Sequence, residues 1–458
     1  MHPLFAVLAL FAQQRDSSIV VSDSVVALVG VTVIDGTGAA PRPGQTVVLA
    51  GGRIRAMGPS ASVTVPAGAR VLDRPGYRLL PGFIGLHDHF FHTSARGRRQ
   101  LSFTAPRLYL ASGVTTARTT GSFSPYADIS LRTRIDAGDL PGPRMVLSGP
   151  YLTGPDDVPE RRHITTPAEA ARVVNYWADE GATWFKVYTE ITRENLKAIT
   201  TAAHRRGVKV TGHLCSVGFI EAAEAGIDAL EHGLLTNTEY FPDKVPDRCP
   251  AGGGNFAAYG ALPTDQWPRT FKAMIDHGVS MTSTLAVFEM FVPGRAALDE
   301  RSATALDPEI RATYVAAKTA IDRAPNRAEM NAAFRRAMDF DVAFLRAGGL
   351  LGAGVDPTGA GGVLHGFGDQ RNYELLVEAG LTPVEAVKVM TLNGARVLGV
   401  EADRGTVAVG KRADLILIEG DPVARPAEIR NVRLVFKDGI GYDSAVLLRA
   451  VAGLVGVR

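Results

Sequence analysis

The chain has 458 residues, 46% of them hydrophobic and 21% charged, and a formal net charge of +2. At roughly 100–200 residues per domain, that length exceeds one small core and accommodates a large barrel with a smaller module. The near-neutral balance lacks the long basic stripe that nucleic acid or an anionic membrane surface requires, and no run reaches the ~20 apolar residues of a membrane span.

In chain order, the first feature is Leu4 to Ala12, LFAVLALFA, an apolar run of signal-peptide length followed by polar QQRDSS. No Lys or Arg precedes it, and Leu10 stands where a small residue is preferred, features that suit an N-terminal packing segment instead. Residues 1–22 are read as a signal peptide with the mature chain starting soon after Ala12, which predicts a periplasmic or secreted protein over a cytoplasmic one. Two cysteines, Cys215 and Cys249, exclude a disulfide framework and leave one bridge open.

From Val25 to Leu79 short alternating strands are punctuated by Gly and Pro, the texture of a small β-sandwich. It cannot close alone. Gly405 to Gly441, GTVAVGKRADLILIEGD and NVRLVFKDGIGYD, repeats the texture, so residues 23–80 and 401–443 are expected to build one composite module. Residues 81–400 then form an insertion, and Ser444 to Arg458 is an apolar helical tail covering the sandwich or a subunit neighbour in an expected homo-oligomer.

Inside the insertion, strands alternate with helices, the signature of a parallel sheet with crossover helices. Eight strand candidates are Phe83–His89, Val114–Thr119, Met145–Leu152, Trp184–Thr189, Lys209–Cys215, Ala229–Gly233, Ser280–Ala286 and Leu350–Asp356. Eight such units predict an α/β fold, a (β/α)8 TIM barrel inserted into the small β-sandwich. Helical spacing marks 167–180, 193–206 and 219–225, with Thr166-Pro167 as a helix start. The Ala- and Arg-rich stretch from Phe288 to Arg346 is too long for one crossover and should add one or two helices over the barrel mouth.

Chemistry collects at the strand ends. In YRLLPGFIGLHDHFF, Pro81-Gly82 breaks the lead-in, and strand alternation turns His87 and His89 one way and Asp88 the other, as two imidazoles on one metal require. Lys186 lies in TWFKVYTE, His213 in VTGHLC, His232 in ALEHG and Asp356 in GAGVDP. Taken singly, Lys186 reads as an internal salt bridge and His213 or His232 as a satisfied core histidine. Their recurrence at matching positions of a βα repeat favours a shared site.

The HDH, the FK of WFKVY, GH, EHG and GVD, in that order, resemble the amidohydrolase superfamily. More narrowly, the chain is similar to its branch of dipeptidases, carboxypeptidase-like enzymes and ochratoxin-type amidases related to imidazolonepropionase, from Val25 to Asp443. The resemblance implies two divalent metal ions, zinc by expectation. His87 and His89 would bind the first, His213 and His232 the second, and a carboxylated Lys186 would bridge both. Asp356 would complete the first site and carry the proton, and a metal-bridging hydroxide would attack the amide. Two such ions polarise a carbonyl and acidify a water.

Tyr188 shares the face of Lys186 and is a candidate to polarise the substrate carbonyl or hold a carboxylate, or else packs. Basic residues in the loops after the strands, Arg96, Arg98 and Arg99, Arg118, then Arg161, Arg162 and His163, suggest an anionic group on a small-molecule substrate. Solvated loop charge is the plain alternative. Departures from the branch, ARTTG after the second strand and no Gly-Gly-His-Gly in the third loop, bear on the substrate. Gly359 to Gly368 lacks the Gly-Lys-Ser/Thr ending of a phosphate loop and reads as a mobile loop beside Asp356, where His365 either reaches the site or faces solvent. The expected reaction is amide hydrolysis of a dipeptide or N-acyl amino acid with a free carboxylate. Hydrolysis of a cyclic amide, lactone or phosphoester is the alternative on the same scaffold, and a non-catalytic binding protein is the third.

Overall fold

The computed structural model describes residues 16–458 apart from 157 and 159. Residues 1–15, which carry most of the expected leader, lie outside the described residues.

Nine strands from both chain ends form one hydrogen-bonded sheet. In order across it stand Ile19–Val21, Ile440–Asp443, Val432–Lys437, Leu415–Glu419, Tyr77–Pro81, Val25–Val33, Arg42–Ala50 and Arg53–Pro59, with Arg70–Asp73 also paired to Val25–Val33. The two chain ends join where Leu417 pairs antiparallel with Leu79. A further bridge between Arg53 and Arg412 folds the sheet over its own core of Val26, Leu28, Val33, Val47, Leu415, Leu417 and Phe436. Alternation in VVALVGVTV supplies that core in two phases, Val26 and Leu28 before a register shift and Val31 and Val33 after it. The first strand begins inside the segment read as leader: Ile19–Val21 pairs with Ile440–Asp443, and Val21 is 2% exposed.

Phe83–Asp88, Val114–Thr119, Ser148–Thr153, Trp184–Val187, Lys209–Gly212, Ala229–Glu231, Ser280–Ser283 and Leu351–Ala353 are the eight parallel barrel strands, numbered first to eighth below. The ring closes between eighth and first, where the Asp356 N–H donates to the His87 carbonyl at 2.8 Å. Between second and third the seam is made by Ser148 N–H to Thr119 Oγ1 at 2.8 Å and Ser122 N–H to the Gly149 carbonyl at 3.2 Å. The expected third strand is split, since Arg144–Val146 pairs with the second strand before Ser148–Thr153 turns to the fourth.

Helices Pro167–Asp179 and Arg193–Arg205 start where Thr166 and Thr192 accept backbone N–H groups through their hydroxyls. After the seventh strand, four helices replace the expected one or two: Leu285–Glu289, Glu300–Ala305, Pro308–Asp322 and Arg327–Arg346. Pro293-Gly294, Pro308 and Pro325 punctuate the stretch, and a proline cannot continue a helix from its interior. The tail packs on the sandwich strands Val432–Lys437 and Ile440–Asp443, as expected, and on the barrel as well. Its helix Ser444–Val451 lies against the barrel helix Thr104–Ala111, where Ser444 Oγ donates to the Ala111 carbonyl at 2.7 Å and Leu447 and Val451 are buried. No helix among the described residues is long and apolar enough to cross a membrane.

Candidate metal centre

Strand alternation turns His87 and His89 to one side, and ring closure at His87 sets Asp356 opposite them. His89 Nε2 lies 3.4 Å and His87 Nε2 3.6 Å from the Asp356 carboxylate, and His232 Nε2 lies 3.8 Å from it. Lys186 Nζ reaches His87 Nε2 at 2.9 Å. The His213 ring stands 4.6 Å from that of His232, centroid to centroid. The six residues singled out in the sequence therefore meet at the C-terminal mouth of the barrel. Two of them carry backbone in the left-handed region, His232 at φ 69° and Asp356 at φ 48°. That conformation costs a non-glycine residue about 1–3 kcal/mol and persists where the surroundings hold it, as at functional sites.

His87, His232 and Asp356 each offer a ligand atom within 4.8 Å of the others. His232 Nδ1 engages Thr284 Oγ1 at 2.6 Å, whereas the buried Nε2 has no hydrogen-bond partner among the described residues. Leaving a buried polar atom unpaired costs about 1–3 kcal/mol. Imidazole nitrogens aimed at a carboxylate are a donor set for a divalent ion such as zinc, so the residues present fit one.

Electrostatics agree with that fit. Burial pushes His89 down to about 4 and holds His213 and His232 well below the usual imidazole range; His87 is lowered by burial and by Lys186. The rings are thus neutral in neutral solution, the form that ligates metal. Burial lowers Lys186 to about 8, which populates the uncharged amine. Burial alone would raise Asp356, but the facing imidazoles of His87, His89 and His232 keep its carboxylate well below the usual range.

Three residues absent from the sequence reading complete the site. Glu231 Oε2 meets His87 Nδ1 at 2.7 Å, Thr284 holds His232, and the Tyr151 hydroxyl stands 3.4 Å from His89 Nε2. A charge at the end of a three-residue, wholly buried strand, Ala229–Glu231, was the signal for Glu231; Tyr151 in an apolar strand gave none.

The basic residues divide. Arg118 is not a substrate residue: fully buried, it donates to the Leu86 carbonyl at 2.7 Å and to Glu231 Oε1 at 2.5 Å beneath the mouth. Second-strand alternation points it into the barrel rather than along the loop. Arg96 pairs with exposed Glu309 on the surface, Arg99 is exposed, and Arg162 pairs with Glu169 of the next helix at 2.6 Å. Arg98 lies 4.0 Å over the Phe123 ring, and His163 Nε2 is 3.2 Å from Asp156. Arg161 alone of this set stacks on a mouth residue, 3.8 Å over the Tyr188 ring, while Tyr188 stacks on His213 at 4.5 Å. His365 neither reaches the six residues nor faces solvent. It is fully buried, with Nε2 3.0 Å from the Phe91 carbonyl and its ring edge-on to Tyr109. The glycine loop around it is packed rather than open: a Cβ on Gly359 would sit 2.1 Å from Met290 and one on Gly366 2.6 Å from the Leu108 carbonyl, both at positive φ.

The sequence profile of the Amidohydrolase family matches residues 78–440. Dihydroorotase of Pelotomaculum thermopropionicum is 24% identical over 382 residues, 78% of this chain and 80% of that protein. A solved structure from Bifidobacterium longum, assigned as a prolidase, aligns with a TM-score of 0.69 and 26% identity over 93% of this chain and 99% of its own. Ochratoxinase of A. niger shares the fold, with a TM-score of 0.65 and 20% identity over 91% of this chain and 95% of its own. Because the family profile spans the whole barrel and all six of the converging residues, the chain belongs to the amidohydrolase family and is a hydrolase of carbon–nitrogen bonds.

Proposed function

We propose that this amidohydrolase cleaves the amide bond of a dipeptide or N-acyl amino acid bearing a free carboxylate, at two divalent ions, zinc by the donor set. The observation that carries the metal reading is the gathering of four imidazoles, Asp356 and Lys186 at the barrel mouth, with the buried His232 Nε2 lacking a hydrogen-bond partner among the described residues. Bound divalent ions would polarise the scissile carbonyl and acidify a water. Asp356, within reach of His87, His89 and His232, is the residue to accept a proton at its carboxylate and return it to the leaving amine. The Tyr151 hydroxyl, beside His89, and Tyr188, on the His213 ring, border the substrate carbonyl.

Support for the free carboxylate comes from Arg161. Its guanidinium is held by Asp156 at 2.8 Å and by the Tyr188 ring, and its buried Nε has no partner among the described residues. A planar guanidinium fixed beside the mouth with a donor to spare suits a carboxylate. The test is a screen of dipeptides and N-acyl amino acids against their C-terminal amides, with zinc present. One charge-assisted hydrogen bond is worth about 1.5–3 kcal/mol, so amidation should lower kcat/KM about ten- to a hundredfold. Equal turnover of acid and amide would remove the carboxylate from the reading.

Carboxylation of Lys186 is part of the same proposal, and its contact with His87 supports it. As a bare amine it donates to His87 Nε2, the very nitrogen a metal needs; as a carbamate it would offer oxygen to two cations. Lys186→Ala should lose metal together with activity, and a short carboxylic acid in the buffer should restore part of both. Retention of two metal equivalents would make the lysine structural. The bridge between Cys215 and Cys249, Cα atoms 4.9 Å apart, supports an exported enzyme, since such bonds persist in oxidising compartments; recovery of intact Met1 protein from the cytosol would contradict it.

A further inference from the structure

Beneath the mouth lies a closed chain of charges that no substrate can touch. His87, Arg118 and Glu231 are each 0% exposed. Glu231 Oε2 faces His87 Nδ1 at 2.7 Å, while Oε1 accepts from Arg118 Nη2 at 2.5 Å and from the Thr211 hydroxyl. Arg118 is itself fixed, by Nε to the Leu86 carbonyl at 2.7 Å and by its guanidinium 4.3 Å over the Trp184 ring. On the opposite edge of the same imidazole, His87 Nε2 faces the Lys186 amine at 2.9 Å.

We infer that Glu231, clamped by Arg118 and Thr211, is the positioning residue that sets the tautomer of His87 and through it the hold on metal. The deduction rests on the metal reading above and on counting donors. With Oε1 saturated by two donors and no proton of its own, Glu231 accepts the His87 Nδ1 proton at Oε2. Nε2 then keeps its lone pair, as its contact with the Lys186 donor also requires. A neutral imidazole whose second nitrogen is fixed by a carboxylate presents the first to a cation, oriented and more basic.

Glu231→Gln makes the idea testable because an amide has a single acceptor. Arg118 and Thr211 demand the oxygen, so the NH2 turns to His87 Nδ1, and the ring answers by moving its proton to Nε2, the metal-facing nitrogen. In metal-free protein labelled with 15N-histidine, wild type should show His87 as the Nδ1–H tautomer and Glu231→Gln as Nε2–H. Metal loss to a chelator should be about 10–100-fold easier in the variant, the usual effect of removing such a partner. Adding Arg118→Met to Glu231→Gln releases the amide oxygen back towards His87, with Thr211 free to accept from the NH2. The double variant should therefore hold metal more tightly than the single one, a rescue that loss of packing alone would not give. A folded Glu231→Gln protein that keeps the Nδ1–H tautomer and releases metal at the wild-type rate would overturn the inference. If that variant fails to fold, Thr211→Val, which removes one donor to Glu231, decides instead: several-fold faster metal loss supports the role, and an unchanged rate overturns it. A wild-type protein that takes up no metal would sink the metal reading while leaving the tautomer measurement intact.

Discussion

Asp356 stands at φ 48° with its N–H bonded to the His87 carbonyl and its carboxylate facing three imidazoles, a placement that serves neither a helix cap nor the apolar core. Because one carboxylate oxygen survives in the amide, Asp356→Asn should keep the fold and most of the metal while losing proton transfer. General acid–base catalysis is worth about 10²–10⁴ in rate, so kcat should fall by that factor with little change in KM. A variant keeping a tenth or more of wild-type kcat would assign the proton to another group. Outside the six residues, Asp128 accepts from Ser122 Oγ at 2.6 Å and Gln100 Nε2 at 2.8 Å, yet burial outweighs both bonds and raises it to about 6. Unfolded, an aspartate titrates near ~3.9, so the folded form binds this proton more tightly. Its stabilising contribution is present below about pH 4 and lost as pH rises through about 6. Each pH unit between the two values is worth about 1.4 kcal/mol, so Asp128→Asn should gain about 2–3 kcal/mol over wild type at pH 8, read from denaturant midpoints between pH 4 and 8. Parallel pH profiles for the two proteins would place the titration elsewhere.

At the level of elements, each barrel strand delivers one or two residues at its C-terminal end, and the loops decide which reach the site. The loop after the fifth strand is tied by Cys215–Cys249, two residues beyond His213. A Cβ on Gly253 would lie 2.7 Å from Cys215 Sγ, so the bridge is packed against backbone. Cross-linking a loop of this length restricts the unfolded chain by about 2–4 kcal/mol. Cys215→Ser with Cys249→Ser should lower the melting temperature and loosen the segment carrying Phe256, which packs on Phe288 beside His232. Identical melting of the disulfide-free protein would show that the loop needs no tie. The positions of the strands were legible because hydrophobic runs and Gly or Pro boundaries recur eight times. The helices after the seventh strand were not, since Ala and Arg suit one or two long helices as well as the four observed until the prolines are placed in space.

On the scale of the molecule, the sandwich closes only when Leu415–Glu419 reaches Tyr77–Pro81, across more than three hundred residues of barrel. The tail then locks onto Thr104–Ala111, and Asp16 reaches Arg107 at 3.2 Å, so both ends of the described chain return to the same barrel helix.

Sequence by itself determined the barrel, its insertion into a composite sheet, and the six residues that converge, because strand period and strand-end position are local properties of the chain. His87 and His89 share a face by alternation alone, and a lysine between Phe185 and Val187 is conspicuous wherever it folds. Only the tertiary structure decided what the charges do. Arg118, Arg96 and Arg161 look alike in the sequence, yet one lies under the site, one on the surface and one at the mouth, since the direction of an arginine depends on partners brought from distant strands. Glu231 likewise acquires its place from His87, Arg118 and Thr211, three residues on three other strands. Register between strands, which no single strand encodes, makes that meeting.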